Sequence, residues 1–458
     1  MPGSLPHPTR HSSPGARLRA AHRSFRQTRR QSLVAGAPAA GLWLAACGAA
    51  GQPGQGSTPA PARAEPAPEI EFYHQHGAEF VDGLLDLYHQ QQPRIRVRGV
   101  SVPGGYEGLL QRVQLLATAG TPPAVAQAGF TYTRFMAKRI PMTPVASFIA
   151  AERFETSDLF PAMLKLGQDA QGKQWGLPFA VSTPIFYYNA NLLEQIGLSP
   201  RQPARPWEEL RAQAQRLTRG ETKGVAFNYT ITGNWVFQAM VECAGGRMVS
   251  PDGLQPRFHE PPGVRALTYW TDLHQRDGSM PLYAGAAALF YTGKLGYLVT
   301  TTASLDGIRR SVQFPAEFLR TAVFPTDGTK PRRVPAGGNN VFVLGKTPPE
   351  QWAGWDLVKF LVSPAGTSKM AQTSGYMAVR KSTLDAPDLM GTYLRENPAA
   401  RTTYDQVGDM VPWHEFETSD AVQVRKIILD AQVAALNAEK TPRQALEDAA
   451  AQVQPLLG

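Results

Sequence analysis

The stretch that decides the fold runs from residue 69 to residue 128, and it reads EIEFYHQHGAEFVDGLLDLYHQQQPRIRVRGVSVPGGYEGLLQRVQLLATAGTPPAVAQA. Three short segments in it, 69–73, 94–98 and 125–128, have strand-like apolar patterns. Between them, apolar residues recur every three or four positions, as on one face of a helix. The two helix-forming sets are Phe80, Leu84, Leu87 and Tyr88, and then Leu109, Val113, Leu116 and Ala117. This strand–helix–strand–helix–strand order predicts a mostly parallel sheet covered by helices.

Similar patterns continue along the chain. Further strands are predicted at 185–188, 295–301 and 341–344, and a helix is predicted after Pro206. Two capping boxes, at 347–350 and 441–444, mark the starts of later helices. The chain has 458 residues, which is more than a single sheet and its covering helices would contain. We therefore predict an α/β protein with two lobes and mixed, mostly parallel sheets.

Most of the net charge of +9 comes from arginines in the N-terminal leader. Residues 1–46 hold seven arginines and no acid, and removing those arginines leaves a charge of +2. The remainder shows no interleaved basic and aromatic residues of the kind that bind nucleic acid. The composition therefore predicts a globular protein that does not bind nucleic acid.

The leader is typical of an export signal. Arg29-Arg30 before a weakly apolar run resembles a twin-arginine signal, although Ser32 leaves ordinary Sec export open. The run ends in Leu44-Ala45-Ala46-Cys47, which matches a bacterial lipobox. We expect a signal peptide at 1–46, lipid on Cys47 and a flexible Gly-, Ala- and Pro-rich tether at 47–68. The alternative is a cleavage site with an incidental cysteine.

Catalytic and metal-site patterns are weak. The sequence has no GxSxG, P-loop, HExxH, CxxC or GxGxxG motif. His74 and His76 could share one side of a strand, but no third metal ligand is evident. Glu415 and Glu417 could imitate a glycosidase carboxylate pair, which usually comes from separate elements. We therefore predict no enzyme activity, no cofactor and no metal, and we interpret Cys243 as a small buried apolar residue.

Several segments together resemble the extracellular solute-binding proteins of ABC importers, family 1, and within it the sn-glycerol-3-phosphate binders. The segments are PFAVSTPIFYYN at 178–189, GGNN at 337–340, GYMAVR at 375–380 and QVR at 423–425. The resemblance covers about residues 69–458. It implies a type II periplasmic-binding-protein fold, in which two lobes close on a ligand by a hinge motion.

The resemblance also implies bounds for the lobes. Lobe one would hold residues 69–181 with a return at 338–375, and lobe two residues 184–334. The C-terminal helices, within 376–458, would pack beside lobe two.

By the same resemblance, eight residues would contact the ligand. They are Tyr106, Phe130, Ser182, Trp235, Ser304, Gly338, Tyr376 and Arg425. A guanidinium such as that of Arg425 suits a phosphate or a carboxylate, because it offers several donors in a planar fork. Two positions depart from the family pattern: Phe130 replaces an acid that holds glycerol hydroxyls, and Thr232 replaces a second tryptophan.

The departures favour a bulkier or less hydroxylated ligand than glycerol 3-phosphate. We therefore expect glycerol 3-phosphate, a glycerophosphodiester or a sugar as ligand, and a monomer that delivers it to the permease subunits of an ABC importer. The expected location is the periplasmic or extracellular face of the bacterial membrane, with lipid on Cys47 as anchor. The alternatives are a secreted lipoprotein enzyme, such as a glycoside hydrolase, and a ligand-sensing receptor subunit.

Overall fold

A computed structural model describes residues 59–457 with the exception of 231, 233, 415, 417 and 419. The predicted signal peptide, Cys47 and residues 48–58 of the predicted tether lie outside the described residues. The strands are β1 (Glu69–His74), β2 (Arg96–Ser101), β3 (Val125–Gly129), β4 (Leu177–Ser182), β5 (Pro184–Asn189), β6 (Lys223–Phe227), β7 (Leu295–Thr301), β8 (Leu319–Ala322), β9 (Val334–Val343) and β10 (Met410–Pro412).

The α-helices fill most of the chain between the strands. They are α1 (Ala78–Gln91), α2 (Gly105–Thr118), α3 (Thr133–Arg139), α4 (Val145–Glu152), α5 (Pro161–Leu164), α6 (Ala190–Gln195), α7 (Trp207–Leu217), α8 (Trp235–Cys243), α9 (Pro261–Thr271), α10 (Ala286–Tyr291), α11 (Leu305–Ser311), α12 (Pro348–Leu361), α13 (Pro364–Ser374), α14 (Thr392–Glu396), α15 (Pro398–Arg401), α16 (Ala421–Leu436) and α17 (Pro442–Val453). Both predicted capping boxes are present, at the starts of α12 and α17.

Short 3₁₀ and π turns complete the described structure. The 3₁₀ turns are Phe130–Tyr132, Lys165–Gly167, Thr302–Ser304, Ala316–Phe318, Lys381–Thr383, Thr402–Asp409 and Gln454–Leu456, and the π turns are Asp272–Arg276 and Pro387–Gly391.

The strands form two sheets. The first has the order β10-β9-β3-β1-β2, with β4 paired to β9, and the second has the order β6-β7-β5-β8. Antiparallel pairs are as frequent as parallel ones among the described strands, because β9 runs against β3 and β4, and β5 runs against β7 and β8. The predicted α/β fold with mixed sheets is confirmed, with less parallel pairing than the first βαβ units suggested.

The second sheet is buried on both faces. Phe186 and Tyr188 of β5 point into one apolar core, whereas Ile185 and Tyr187 point into another. A strand covered on both faces reads as a continuous apolar run, which explains why β5 does not alternate with polar residues.

Residues near the C-terminus contact both sheets. Helices α16 and α17 share the core of Phe186 through residues such as Ile428 and Leu446. Strand β10, however, pairs parallel with β9 in the first sheet. Helices α16 and α17 thus pack on the core of the second sheet, whereas β10 belongs to the first sheet; the predicted lobe bounds stay a prediction.

The end of the predicted tether packs on the protein. The indole nitrogen of Trp352 donates to the carbonyl of Ala62 (3.1 Å), and the Ala67 amide donates to the carbonyl of Pro349 (3.0 Å). The Arg63 guanidinium lies 5.0 Å from the Trp352 ring centre. Residues 62–67 are therefore held against α12 by backbone carbonyl and amide groups, which composition alone does not reveal.

Two further observations concern Cys243 and the possibility of membrane-spanning helices. Cys243 is buried, as predicted, and burial raises the pKa of its thiol to about 12, so that the thiol is protonated at neutral pH. Within the described part of the chain, no helix is both long enough and apolar enough to cross a membrane.

Gly338 of β9 provides a test of the fold. Its φ is +115°, and a Cβ there would lie 1.8 Å from the carbonyl oxygen of Ala180 in β4. We expect Gly338→Ala to lower the free energy of unfolding by more than about 2 kcal/mol, because strain of this kind costs about 1–3 kcal/mol before the clash is added. Denaturant titration measures the change.

Gly307 is the matched control, because it lies within α11 and a Cβ there meets nothing within 4 Å. Gly307→Ala should leave stability unchanged or raise it by about 1 kcal/mol. Equal effects of the two substitutions would contradict the backbone geometry described for β9.

Candidate functional site between the two sheets

The two sheets meet where β4 ends and β5 begins. Thr183 alone separates the strands, and its hydroxyl accepts a hydrogen bond from the side-chain amide of Gln406 (2.6 Å). Ser182, at the end of β4, is buried and lies opposite Gly337 of β9. This junction is therefore built from small residues that let β4, β5 and β9 approach closely.

Trp235 covers the junction from the second sheet's side. It is the first residue of α8, and its ring carbon Cζ2 lies 2.8 Å from the place that a Cβ on Gly337 would occupy. The ring of Trp413 lies 6.2 Å away, and its indole nitrogen donates to the side-chain oxygen of Asn234 (3.3 Å). Gly337 is required here because any side chain would displace the Trp235 ring.

Neutral polar side chains line the junction from the first sheet's side. The side-chain amide of Asn339 donates to the phenol of Tyr106 (2.9 Å) and lies 3.4 Å from Nε2 of His76. The ring of Tyr376 packs edge-on against His76, with 5.6 Å between ring centres. Burial raises the pKa of the Tyr106 and Tyr376 phenols and lowers that of His76 to about 4, so all these groups are uncharged at neutral pH.

Within the described part of the chain, four buried polar atoms around the junction have no hydrogen-bond partner. They are Nε2 of Gln127, Oδ1 of Asn339, Nδ2 of Asn234 and Nε1 of Trp235. Buried polar groups are almost always paired, because an unpaired one loses its hydration without compensation. Gln127 and Asn339 come from β3 and β9, whereas Asn234 and Trp235 lie at the start of α8. The arrangement can therefore hold a polar molecule between the two sheets.

We call this set the junction cluster: His76, Tyr106, Gln127, Ser182, Asn234, Trp235, Gly337, Asn339 and Tyr376. Phe130 and Gly338 border it, since a Cβ on Gly338 would lie 3.2 Å from the Phe130 ring. Ser304 lies near Tyr376, because a Cβ on the preceding Gly375 would approach the carbonyl oxygens of Thr302 (2.9 Å) and Ala303 (3.3 Å).

Arg425 contacts α2, the helix that also carries Tyr106. Its guanidinium forms an ion pair with Glu107, the residue after Tyr106 in α2. The Arg425 side chain is only 9% exposed, and desolvation lowers the pKa of its guanidinium. The pair links α16, which packs on the second sheet's core, to α2 beside the first sheet.

The structure brings Tyr106, Phe130, Ser182, Trp235, Gly338 and Tyr376 to one region, with Ser304 beside Gly375, whereas Arg425 is linked to it only through Glu107. The role of all eight in binding stays a prediction. Sequence reasoning missed the side chains of His76, Gln127, Asn234 and Asn339 as members of the cluster. The sequence signal that could have identified one of them is Gln127, a polar residue inside the otherwise apolar strand Val125–Gly129. Among the described residues no group of three or more His, Cys, Asp or Glu could hold a metal ion. Glu415 and Glu417 lie outside the described residues.

Two cavities open to solvent away from the cluster. One of about 670 Å³ runs past Glu107 and Tyr132 to Val422, next to the Arg425 ion pair. The other, of about 590 Å³, lies beside β8 and is lined by Arg320, Tyr188 and Ala399.

The low pKa of His76 makes stability depend on pH. An unfolded histidine takes up a proton near its ordinary pKa of 6.5, whereas folded His76 takes it up near pH 4. The free energy of unfolding should therefore fall as pH drops from 6.5 to about 4. His76→Gln should make this fall smaller, with a remainder from His74, whose pKa burial also lowers. Urea titrations at several pH values measure it, and an unchanged slope in the variant would contradict the burial of His76.

The chain is similar to known proteins in sequence and in fold. The family model described as "Bacterial extracellular solute-binding protein" matches residues 84–401. The sn-glycerol-3-phosphate-binding periplasmic protein UgpB of Yersinia pestis is 24% identical over 404 residues, which cover 83% of this chain and 90% of that protein. The Escherichia coli K12 protein of the same name is 24% identical over 416 residues, covering 85% and 92%.

Solved structures show the same fold. The crystal structure of UgpB from Mycobacterium tuberculosis in complex with glycerophosphocholine has a TM-score of 0.75 at 22% identity and covers 86% of this chain and 99% of its own. The cyclic alpha-maltosyl-1,6-maltose binding protein of Arthrobacter globiformis has a TM-score of 0.72, also at 22% identity, with coverage of 86% and 99%. The predicted resemblance is confirmed, and with a family model spanning more than half of its length this chain belongs to the bacterial extracellular solute-binding proteins.

Proposed function

We propose that this protein is the substrate-binding subunit of an ABC importer, and that it holds glycerol 3-phosphate, a glycerophosphodiester or a sugar in the junction cluster. The observation that carries the proposal is the set of four unpaired, buried polar atoms on both sides of the junction. A hydroxyl-rich ligand supplies donors and acceptors to such atoms, and the Trp235 and Tyr376 rings suit its C–H surfaces.

The position of these atoms supports a mechanism of closure. Gln127 and Asn339 belong to the first sheet, whereas Asn234 and Trp235 begin the helix that covers the junction from the other side. A ligand that bonds to both sets gains all its contacts only when the sheets are close together. Binding then shifts the population toward the closed form, which the permease would recognise.

Similar proteins support the ligand classes. Two of the relatives are named for glycerol 3-phosphate, one solved structure holds glycerophosphocholine, and another protein is named for a cyclic maltosaccharide. These ligands share vicinal hydroxyl groups, and they differ in charge. The polar side chains of the junction cluster are uncharged, so they suit the hydroxyl groups that these ligands share.

Anchoring is a second part of the proposal. The sequence Leu44-Ala45-Ala46-Cys47 supports acylation of Cys47 and attachment to the outer face of the cell membrane. Mass spectrometry of the membrane-extracted protein would detect the lipid on Cys47, and Cys47→Ser should release the protein into the soluble fraction.

The ligand is identified by a thermal-shift panel of sn-glycerol 3-phosphate, glycerophosphocholine, maltose and trehalose. A ligand at 100 times its Kd stabilises the fold by about 2.7 kcal/mol, which raises Tm measurably. We expect a shift with at least one panel member, and we expect the ligand to be recovered unchanged by mass spectrometry. Conversion of the ligand would favour an enzyme, and no shift with any member would contradict the proposal.

Trp235→Phe tests the site itself. It removes the buried indole N–H together with part of the bicyclic ring, so the variant should be somewhat less stable than the wild type because of the cavity left behind. If that N–H donates to the ligand, the Kd measured by calorimetry should rise about tenfold, as expected for one hydrogen bond in a buried site.

Trp175→Phe is the matched control, because the Trp175 indole nitrogen already donates to Asp169 (2.7 Å) and lies outside the junction cluster. That variant should lose about 1–2 kcal/mol of stability and keep the wild-type Kd. The opposite pattern, with affinity lost at Trp175 and kept at Trp235, would place the ligand elsewhere.

A further inference from the structure

We infer that a groove along β8 is a second binding site, for a small molecule whose carboxylate or phosphate is bound by Arg320. The β8 groove is the cavity of about 590 Å³ that residues 319–323 line. None of the described residues that line it belongs to the junction cluster. The site is therefore separate from the one proposed for the transported ligand.

The floor of the β8 groove is the outer edge of the second sheet. β8 is the last strand in the order β6-β7-β5-β8. Apart from pairing with β5, the backbone of residues 320–322 makes no hydrogen bond to another described segment. The free edge of a strand presents unpaired N–H and C=O groups. The groove therefore offers backbone hydrogen-bonding groups along its floor.

Arg320 lies on the face of β8 that faces the same way as Tyr188 of β5. The two residues are directly opposite each other in the antiparallel pair, and such residues share a face of the sheet. The Tyr188 phenol donates to the carbonyl of Pro200 (3.1 Å), which places the loop that carries Arg201 and Arg205 on this face. Three arginines therefore line the groove on one side of the sheet edge.

The charge of Arg320 is not neutralised within the described part of the chain. Its Nε is buried without a hydrogen-bond partner, and no described acid forms an ion pair with its guanidinium. A buried N–H without a partner has lost its hydration without compensation. An oxyanion would supply the partner, because the planar fork of an arginine matches two oxygens of a carboxylate or a phosphate. Arg309 of α11 adds a fourth positive charge to the lining.

Three acids also line the β8 groove, but in other places. Glu396 and Asp405 come from the segment on the opposite face of β8, where the Thr321 hydroxyl donates to the carbonyl of Ala399 (2.8 Å). Glu317 precedes β8 in the chain. All three acids are exposed, so water and salt weaken their field. The arginine side of the groove can therefore hold an anion while the acids remain in water.

The dimensions of the β8 groove favour a small molecule over a peptide strand. Its volume falls within the range of about 300–1,000 Å³ that is usual for small-molecule sites. β8 has only four residues, which leaves few backbone groups for pairing with an added strand. A small organic anion, by contrast, needs only the Arg320 guanidinium and a few backbone donors.

Calorimetric titrations of the full protein with sodium citrate and with sodium phosphate test this site. They are made in a chloride buffer near neutral pH and at fixed ionic strength. We expect saturable binding of at least one of the two anions. Citrate presents carboxylates, so the tighter of the two anions shows which group Arg320 binds. Saturation by neither anion would overturn the proposal.

Three variants locate the bound anion. Arg320→Gln should raise its Kd at least about tenfold, because a charge-assisted hydrogen bond is lost. Arg205→Gln changes an exposed side chain of the groove and should raise the Kd about threefold. Arg395→Gln is the matched control, because Arg395 is exposed, lies on α14 outside the lining and donates to Thr392. That variant should keep the wild-type Kd.

The pattern across the variants decides between a built site and a general effect of charge. Equal losses of affinity in all three variants would mean that the anions respond only to net charge, which would refute the site. An unchanged Kd in both Arg320→Gln and Arg205→Gln would place the anion elsewhere in the protein and would refute it as well. The Tm of each variant without anion shows whether it is folded. If Arg320→Gln is unfolded, the comparison of Arg205→Gln with Arg395→Gln decides alone.

Discussion

The close approach of β9 to β4 is the constraint on which the rest of the structure depends. All ten residues of β9 are buried, and the strand pairs with β3, β4 and β10. At Gly338 the backbone has a left-handed φ, and the carbonyl of Ala180 occupies the space of a side chain. Because β4 continues almost directly into β5, this contact also fixes where the second sheet begins.

The same contact creates the candidate site. Glycines at 337 and 338 leave room for the rings of Trp235 and Phe130, respectively. The next residue, Asn339, carries its polar side chain into the space between the sheets and bonds to Tyr106. Two glycines followed by an amide thus give a close backbone approach, aromatic walls and a hydrogen-bonding group within three residues.

Charge is distributed so that the site stays neutral. Desolvation keeps His76 unprotonated and the phenols of Tyr106 and Tyr376 protonated near pH 7. The buried guanidinium of Arg425 forms an ion pair with Glu107 of α2. A buried charge is tolerated when it is paired, and this pairing between α2 and α16 joins parts of the protein that otherwise belong to different cores.

The sequence by itself determined the elements and the family. Local periodicity predicted β7 at its observed bounds, the capping boxes predicted the starts of α12 and α17, and the ordered motifs indicated the solute-binding family. Only the tertiary structure decided which polar groups converge, as with Gln127 and Asn339, whose strands are neighbours despite lying more than 200 residues apart in sequence. It also decided that Glu107 meets Arg425 and that residues 62–67 lie on α12. The physical reason is that periodicity reports which side of an element is buried, whereas hydrogen bonds and ion pairs between distant elements depend on how those elements pack.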